Sequence, residues 1–491
     1  MSRSLLTSFA CFVLMTLTWT DGAAAQAAAR PNIVWVIVED MSPHFGCYGE
    51  TTIQTPHIDA LAANGVKFTQ AFITAPVCSA ARSALVTGMY QTSIGAHQHR
   101  SGRGVEKIQL PAHVKLIPTL FREAGYYTCN LSKARLENPN SRRGRGLGKT
   151  DYNFEWDQSA TYDGPDWTQR NADQPFFAQI HLSGGKGRTD KSPRPVKPED
   201  VTLPPYYPRD PVILEDWARY LNAAINTDEM VGKIVQRLKD EGIADDTYIF
   251  FITDHGISHA RGKQFLYEEG IRIPLIVTGP DVKPGSVRDD LVVHIDMAAA
   301  SLRLAGIPIP KHLEAQDILA QDYQPRDWIV SARDRCDETV ERLRCVRTNR
   351  YKYIRNGYPR RPYLQPNAYK DHKEIIVAMR RLHAAGKLNR AQSLIMAETR
   401  PAEELYDLKN DPHELHNLAG QARHAATLAD LRGKLDGWIE QTGDLGQQPE
   451  STTMFDSDMA VYLQAMKKKP ERIEIIRRNI ALMKQWAAEG R

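Results

Sequence analysis

Asn32 to Val38 reads NIVWVIV and Thr247 to Thr253 reads TYIFFIT. Unbroken β-branched and aromatic runs of this kind, with no polar alternation, belong to strands buried on both faces. Ile271 to Gly279, IRIPLIVTG, is a third. From Ile213 to Gly242, apolar Leu214, Trp217, Leu221, Ile225, Ile234, Val235 and Leu238 recur mostly at three- and four-residue spacings, describing one or two amphipathic helices that Gly242 ends. Thr55 to Gly65, TPHIDALAANG, has a helix start, a periodic interior and a glycine stop. Helices alternating with apolar strands predict an α/β fold: a large mixed, mostly parallel sheet sandwiched by helices. In such sheets ligands bind outside the carboxyl ends of the strands.

Beyond about Gln321 the texture changes to shorter alternating runs, DWIVSAR, RCVRT and YKYIRN, followed by charged helices. This predicts a smaller C-terminal α+β domain on an antiparallel sheet, over residues 322–491. The 491 residues exceed what one small core needs, and residues 26–321 form the larger unit. Ahead of both, Arg3 precedes an apolar stretch from Leu5 to Trp19 and the alanine-rich GAAAQAAAR. That pattern predicts a signal peptide over residues 1–25 and a secreted or periplasmic protein. Thr and Ser interrupt the run, which is shorter than the roughly 20 residues of a membrane span, so no stable membrane insertion is expected.

A net charge of +4 is too mild to argue for nucleic acid. Local charge is more pointed, because SRRGRGLGK (Ser141 to Lys149) and KGRTDKSPRPVK (Lys186 to Lys197) are basic loops suited to an anionic partner, or simply solvated runs. Five cysteines follow the signal peptide, an odd number that leaves at least one without an intrachain partner. Cys336 and Cys345 are the one local pair.

Both of the first two buried strands end in acid: Glu39-Asp40 after the first, Asp254-His255 after the second. Either cluster alone suits an ordinary turn. Together at strand ends they favour a hard divalent cation, calcium or magnesium, while His255 leaves room for a transition metal. PVCSAARSALVTG, Pro76 to Gly88, adds a thiol and a guanidinium. As a helix start it sets Cys78 and Arg82 on one face, with free first-turn amides favouring an anion. A buried cysteine leading an Ala-rich helix is the plainer alternative.

PVCSAARSALVTG resembles the signature of the formylglycine-dependent sulfatases, of the alkaline phosphatase-like superfamily. PNIVWVIVED, FFITDHG and GKQFLYEEGIRIPLIV resemble the other motifs of that family in the same order, and RTNRYKYIRN and ELYDLKNDPHELHNLA resemble its C-terminal domain. The resemblance implies that a formylglycine-generating enzyme oxidises Cys78 to 3-oxoalanine, whose hydrate attacks sulfur with one hydroxyl and expels sulfate by deprotonating the other. It implies that Glu39, Asp40, Asp254, His255 and the modified Cys78 hold one divalent cation, calcium first, with magnesium and manganese as alternatives. Arg82 would orient the diol, and Lys263 would bind sulfate and help protonate the leaving group. The Lys-x-His segment of the family corresponds to Lys133 or to Lys149, with Lys149 preferred for the likeness of GKTDYNF. Where the family has Pro-His this chain has GGK, which makes Lys186 the candidate leaving-group acid if its neighbours depress its pKa. His97 and His99, in GAHQHR, are candidates for the base of the elimination, or ordinary hydrogen-bonding histidines. The chain departs from the usual pattern in Glu39, where most relatives carry aspartate, and in His255, where asparagine is usual.

The expected activity is hydrolysis of sulfate esters, or of N-sulfate, on a sulfated glycan. Two rivals accompany it. A phosphomonoester or phosphodiester hydrolase could use the same fold, though its relatives ordinarily carry serine or threonine as nucleophile. A sulfated-glycan-binding protein with a decayed site would account for the missing family histidines.

Overall fold

The computed structural model describes residues 30–137 and 146–491. The expected signal peptide lies outside the described residues, as does most of the basic stretch before Gly146. Among the described residues twelve strands form two sheets. The larger holds β1 (Asn32–Val38), β2 (Gly65–Phe72), β3 (Tyr127–Ser132), β4 (Phe176–Leu182), β5 (Thr247–Thr253), β6 (Arg272–Thr278), β7 (Ser286–Arg288) and β8 (Val292–Val293). Its order is β3-β4-β1-β5-β6-β2-β7, with β8 beside β2.

The sheet is parallel from β3 through β4 and β1 to β5. β6 alone runs against its neighbours. Residues 254–271 start and finish at the same end of the β5–β6 pair, as an antiparallel pair permits without a crossover helix. Register decides where chemistry can gather. Val38 lies level with Leu182 of β4 and with Thr253 of β5. The three central strands therefore finish together, and the residues that follow them share one layer.

Helices cover the sheet. Pro211–Asp240 is one continuous helix, with proline in its first turn and Asp210 accepting from the Val212 N–H as its cap. It buries Ile213, Trp217, Leu221, Ile225, Ile234 and Leu238. It packs on Pro56–Ala63, the shorter helix expected ahead of Gly65. Gly65 turns out to be the first residue of β2, and a Cβ there would collide with the carbonyl oxygen of Val277, so the glycine serves a close strand approach more than a helix stop. On β1, Trp35 donates to Ser301 Oγ of helix Asp296–Leu304 at 2.9 Å.

The second sheet has order β12-β11-β10-β9 and is antiparallel throughout: β9 (Trp328–Arg333), β10 (Leu343–Thr348), β11 (Tyr351–Asn356) and β12 (Glu403–Asp407). β9 docks on the chain that leaves β2, with Ala332 N–H donating to Thr74 O at 2.8 Å and Ser331 Oγ to Ile73 O at 2.6 Å. One apolar core continues from the large sheet into Ile329, Val346, Tyr353 and Leu405. Cys47, Cys78, Cys129, Cys336 and Cys345 are all free thiols, so the Cys336–Cys345 pair does not form: Cys345 is buried in β10 while Cys336 lies in the loop beyond β9.

Candidate active site

The three strand ends are stitched together by backbone hydrogen bonds. Glu39 N–H donates to Leu182 O at 3.1 Å, Asp254 N–H to Val38 O at 2.8 Å, and Met41 N–H to His255 O at 3.1 Å. Asp40 adopts a left-handed φ of 55°, and its N–H donates to Asp254 Oδ1 at 3.0 Å. Aspartate tolerates that backbone better than most residues, and strain of this kind gathers at working sites. The chain after β4 comes close enough for Gly185 N–H to donate to Glu39 O at 2.8 Å. A Cβ on Gly184 or Gly185 would strike the Glu39 or Asp40 carbonyl oxygen, which explains GGK at this point.

Cys78 opens the helix Cys78–Thr87, every residue of which is buried, and Gly88 closes it at φ 67°. Its Sγ lies 3.1 Å from His255 Nε2, 3.1 Å from Lys263 Nζ, 3.7 Å from Lys186 Nζ and 3.9 Å from Asp40 Oδ1. One turn on, Arg82 lies 3.0 Å from Asp254, 3.6 Å from Asp151 and 3.8 Å from Glu39, and it donates to His181 Nδ1 at 2.7 Å. The loop bearing Lys263 is fastened to the start of this helix by Gln264, which takes φ 77° and donates its N–H to Pro76 O at 2.9 Å.

Asp40, Cys78, Asp254 and His255 each offer a ligand atom, and these atoms lie within 4.8 Å of one another. The His255 Nδ1 sits 2.9 Å from Gly256 O, where only an N–H can pair, so Nε2 is the nitrogen that faces the cluster, 3.2 Å from Asp40 and 3.5 Å from Asp254. Two carboxylates, an imidazole nitrogen and the side chain at position 78 match the donor chemistry of a divalent cation site. The electrostatics agree. Burial disfavours charge on His255, but Asp254 outweighs it and raises the imidazole above its ordinary pKa. Burial likewise opposes the Asp40 charge, yet Lys263 and His255 hold that carboxyl well below the usual range. Burial also opposes ionisation of Cys78, and Lys149, Lys263 and Lys186 together overcome it and bring the thiol down to about 6.

Glu39, grouped with these ligands from sequence, stands beside them rather than among them. Its carboxylate pairs with Lys149 Nζ at 3.1 Å and with Lys186. The two ammonium groups supply the counter-charge it would otherwise seek in the cluster. Lys149 also lies 3.5 Å from Asp151 and 4.0 Å from Asp254. Lys133 is elsewhere: it is on the short helix Lys133–Glu137, 41% exposed, 3.6 Å from Glu137. Lys186 reaches the site but with the opposite pKa shift to the one expected. Burial opposes its charge, and the Cys78 thiolate with Asp40 and Glu39 carries it above the ordinary lysine value. His97 does not join the cluster; it is buried near Arg344, Asp444 and Glu450, and burial brings it down to about 4. His99 is the histidine that meets the signature helix, with Nδ1 2.7 Å from Ser79 Oγ.

Four site residues had no assignment from sequence. Asp151 stands two positions after Lys149, so GKTDYNF held it in view without marking it. His181 occupies an inward position on β4 and leaves Nε2 buried without a partner. Tyr369 donates to Asp40 Oδ2 at 3.2 Å, and Lys373 packs its ammonium 4.7 Å from the Tyr369 ring centroid. Nothing local in NAYKDHKE marks these last two.

A profile of the family described as Sulfatase matches residues 31–307, and one described as N-sulphoglucosamine sulphohydrolase, C-terminal, matches residues 255–375. An Ulvan-active sulfatase of Formosa agariphila is 31% identical over 92% of this chain and 83% of that protein. The N-sulphoglucosamine sulphohydrolase of Homo sapiens is 27% identical over 85% of this chain and 91% of its own length. A solved structure of a 2-O GAG sulfatase superposes with a TM-score of 0.61 at 19% identity, covering 86% of this chain and 94% of that one. The matched residues 31–307 include the strand-end acids, the Cys78 helix and the Lys263 loop, and the chain belongs to the sulfatase family of the alkaline phosphatase-like superfamily and is a sulfatase.

Proposed function

We propose that the protein is exported and removes sulfate, as ester or N-sulfate, from a sulfated glycan, with 3-oxoalanine made from Cys78 and one divalent cation as its reactive groups. Residues 26–321 form the catalytic unit in this reading, and residues 322–491 close one wall of the site. The observation that carries it is the position of Cys78: its sulfur is 3.1 Å from both Lys263 Nζ and His255 Nε2, at the common end of β1 and β5. The names of the Formosa agariphila and human relatives support a glycan, and they leave O- and N-sulfate both in play.

Asp40, Asp254, His255 and the side chain at position 78 would hold the cation, calcium first, with Glu39 next to them. When bound it supplies polarisation of a sulfate oxygen and neutralisation of charge. The hydrated aldehyde supplies a nucleophile that carries its own means of releasing sulfate. Arg82, fixed by Asp254 and His181, aims a guanidinium at position 78 from one turn along the helix. Lys149, Lys186 and Lys263 meet the charge that grows on the sulfate oxygens, in a site too dry to screen them. Lys186, the most exposed of the three at 34%, is kept charged against burial by Asp40 and Glu39, which suits it to hold a sulfate oxygen and argues against its serving as the leaving-group acid.

The test is sulfate release from a panel of sulfated glycans by protein coexpressed with a formylglycine-generating enzyme, with mass spectrometry of the peptide containing residue 78. Cys78→Ala is expected to abolish release. Activity that survives this change overturns the nucleophile. Aryl phosphate turnover far above aryl sulfate turnover would favour a phosphoester hydrolase. An unmodified thiol from the native host, with glycan binding and no release, would favour a binding protein.

A further inference from the structure

Arg188 belongs to the basic loop after β4, Ser258 to the loop after β5, and Tyr369 and Lys373 to the segment between β11 and β12. Arg188 Nη1 and Lys373 Nζ each donate to Ser258 Oγ at 3.1 Å, so a single hydroxyl holds two cations side by side. The Tyr369 ring connects them to the sulfate centre: Lys373 Nζ is 4.7 Å from its centroid and Lys263 Nζ 5.0 Å. Its hydroxyl reaches Asp40.

The counter-charge here is incomplete. Asp216 lies 3.1 Å from Arg188 Nε, with its second oxygen 2.8 Å from His259 Nε2. Among the described residues no carboxylate stands within 4.0 Å of Lys373. Arg188 Nη2 is buried with no partner. Burial, with Arg188 beside it, presses Lys373 down to about 7. Half-buried donors left in this condition are stabilised by an anion that accepts from them.

We propose that Arg188 and Lys373 form an anion subsite next to the sulfate centre, which takes a second anionic oxygen group of the substrate and so selects multiply charged glycans. A sugar carboxylate and a second sulfate share the chemistry required, oxygens that can bridge a guanidinium and an ammonium. The subsite deepens the sulfatase reading above and rests on it. It also gives a use to Arg188 of KGRTDKSPRPVK, the basic loop of which the reaction itself uses only Lys186.

The experiment compares wild type, Arg188→Met, Lys373→Met and the charge-keeping Arg188→Lys as full-length matured protein. Substrates are an aryl sulfate, a sulfated disaccharide bearing a uronate, its carboxyl-reduced counterpart, and a disulfated disaccharide without uronate. Both Met variants are expected to lose about 10- to 100-fold in kcat/KM on a doubly anionic substrate, mainly through KM, the span of a charged hydrogen bond. The loss should exceed that on aryl sulfate at least about tenfold, and Arg188→Lys should recover most of it. A loss that follows the uronate assigns a carboxylate; one that follows the disulfated sugar assigns sulfate. Equal losses on every substrate, or none, overturn the subsite. Should wild type release sulfate from no substrate, the sulfatase reading fails, and binding of the same disaccharides decides the subsite separately: weaker binding of the doubly anionic sugars by Lys373→Met upholds it, unchanged binding overturns it.

Discussion

Lys149 and Lys133 are both candidates for one role in the sequence, with Lys149 preferred, and a pair of alanine variants separates them. Lys149 Nζ faces Glu39 at 3.1 Å with 20% of its side chain exposed. At an effective dielectric of about 20 the attraction across that distance is about 5 kcal/mol, and partial exposure reduces it to about 3 or 4. A sulfate oxygen gaining charge at a similar contact feels a pull of the same order. Lys149→Ala is therefore expected to lower kcat by about 10²- to 10³-fold, the usual effect of removing one aimed donor. Lys133, 41% exposed and one helical turn from Glu137, makes an ion pair worth about 0.3–0.5 kcal/mol. Lys133→Ala should leave kcat within about twofold. The assay is initial-rate hydrolysis of an aryl sulfate by matured protein, with formylglycine occupancy of each variant checked by mass spectrometry. Loss of less than about threefold in Lys149→Ala, or equal damage in Lys133→Ala, would refute the site assignment.

Chelation should abolish activity, and calcium should restore it; because a bound cation stabilises the fold by about 2.7 kcal/mol at 100 times its Kd, Tm should rise with calcium in wild type and stay flat in Asp254→Asn. Burial, then Asp337, pushes Glu338 from an ordinary 4.5 up to about 7. The folded state thus keeps a proton that the unfolded chain has released, so this contribution to stability is fully present below about pH 4.5 and is lost as pH rises to about 7. Glu338→Gln, neutral throughout, should gain about 1–3 kcal/mol on wild type in urea unfolding between pH 5 and 8; a constant difference across that range would count against a shifted Glu338. Gly185→Ala should lower both Tm and kcat because its Cβ meets the Asp40 carbonyl oxygen, whereas Gly187→Ala, with Ser183 Cβ 3.6 Å away as its nearest neighbour, should be tolerated; indistinguishable variants would mean the loop yields more easily than its hydrogen bonds suggest.

The site packs opposite charges closely around one point. Arg82, Lys149, Lys186 and Lys263 converge on Cys78 from four segments, opposed by Glu39, Asp40, Asp151 and Asp254. Breaking a buried member of such a network leaves its partner charged and unpaired, which commonly costs about 3–5 kcal/mol. Variants at Asp40 or Lys263 therefore call for a stability measurement beside every rate.

The residues NIVWVIVED, FFITDHG and CSAAR by themselves determined the buried strands, the acids at their ends and the shared face of Cys78 and Arg82, because each is a local pattern of period or turn chemistry. Lys263 was legible only through the resemblance of GKQFLYEEGIRIPLIV to the sulfatase family. Only the tertiary structure decided that Lys149 rather than Lys133 meets Glu39, that His99 rather than His97 meets the signature helix, and that β6 runs antiparallel. It alone brought in His181, Tyr369, Arg188 and Lys373. These depend on the order and register of strands, with β1 seated between β4 and β5, and on how the C-terminal segment folds back over them. Such long-range pairings follow from how the whole core packs, and no hydrophobic period along the chain encodes them.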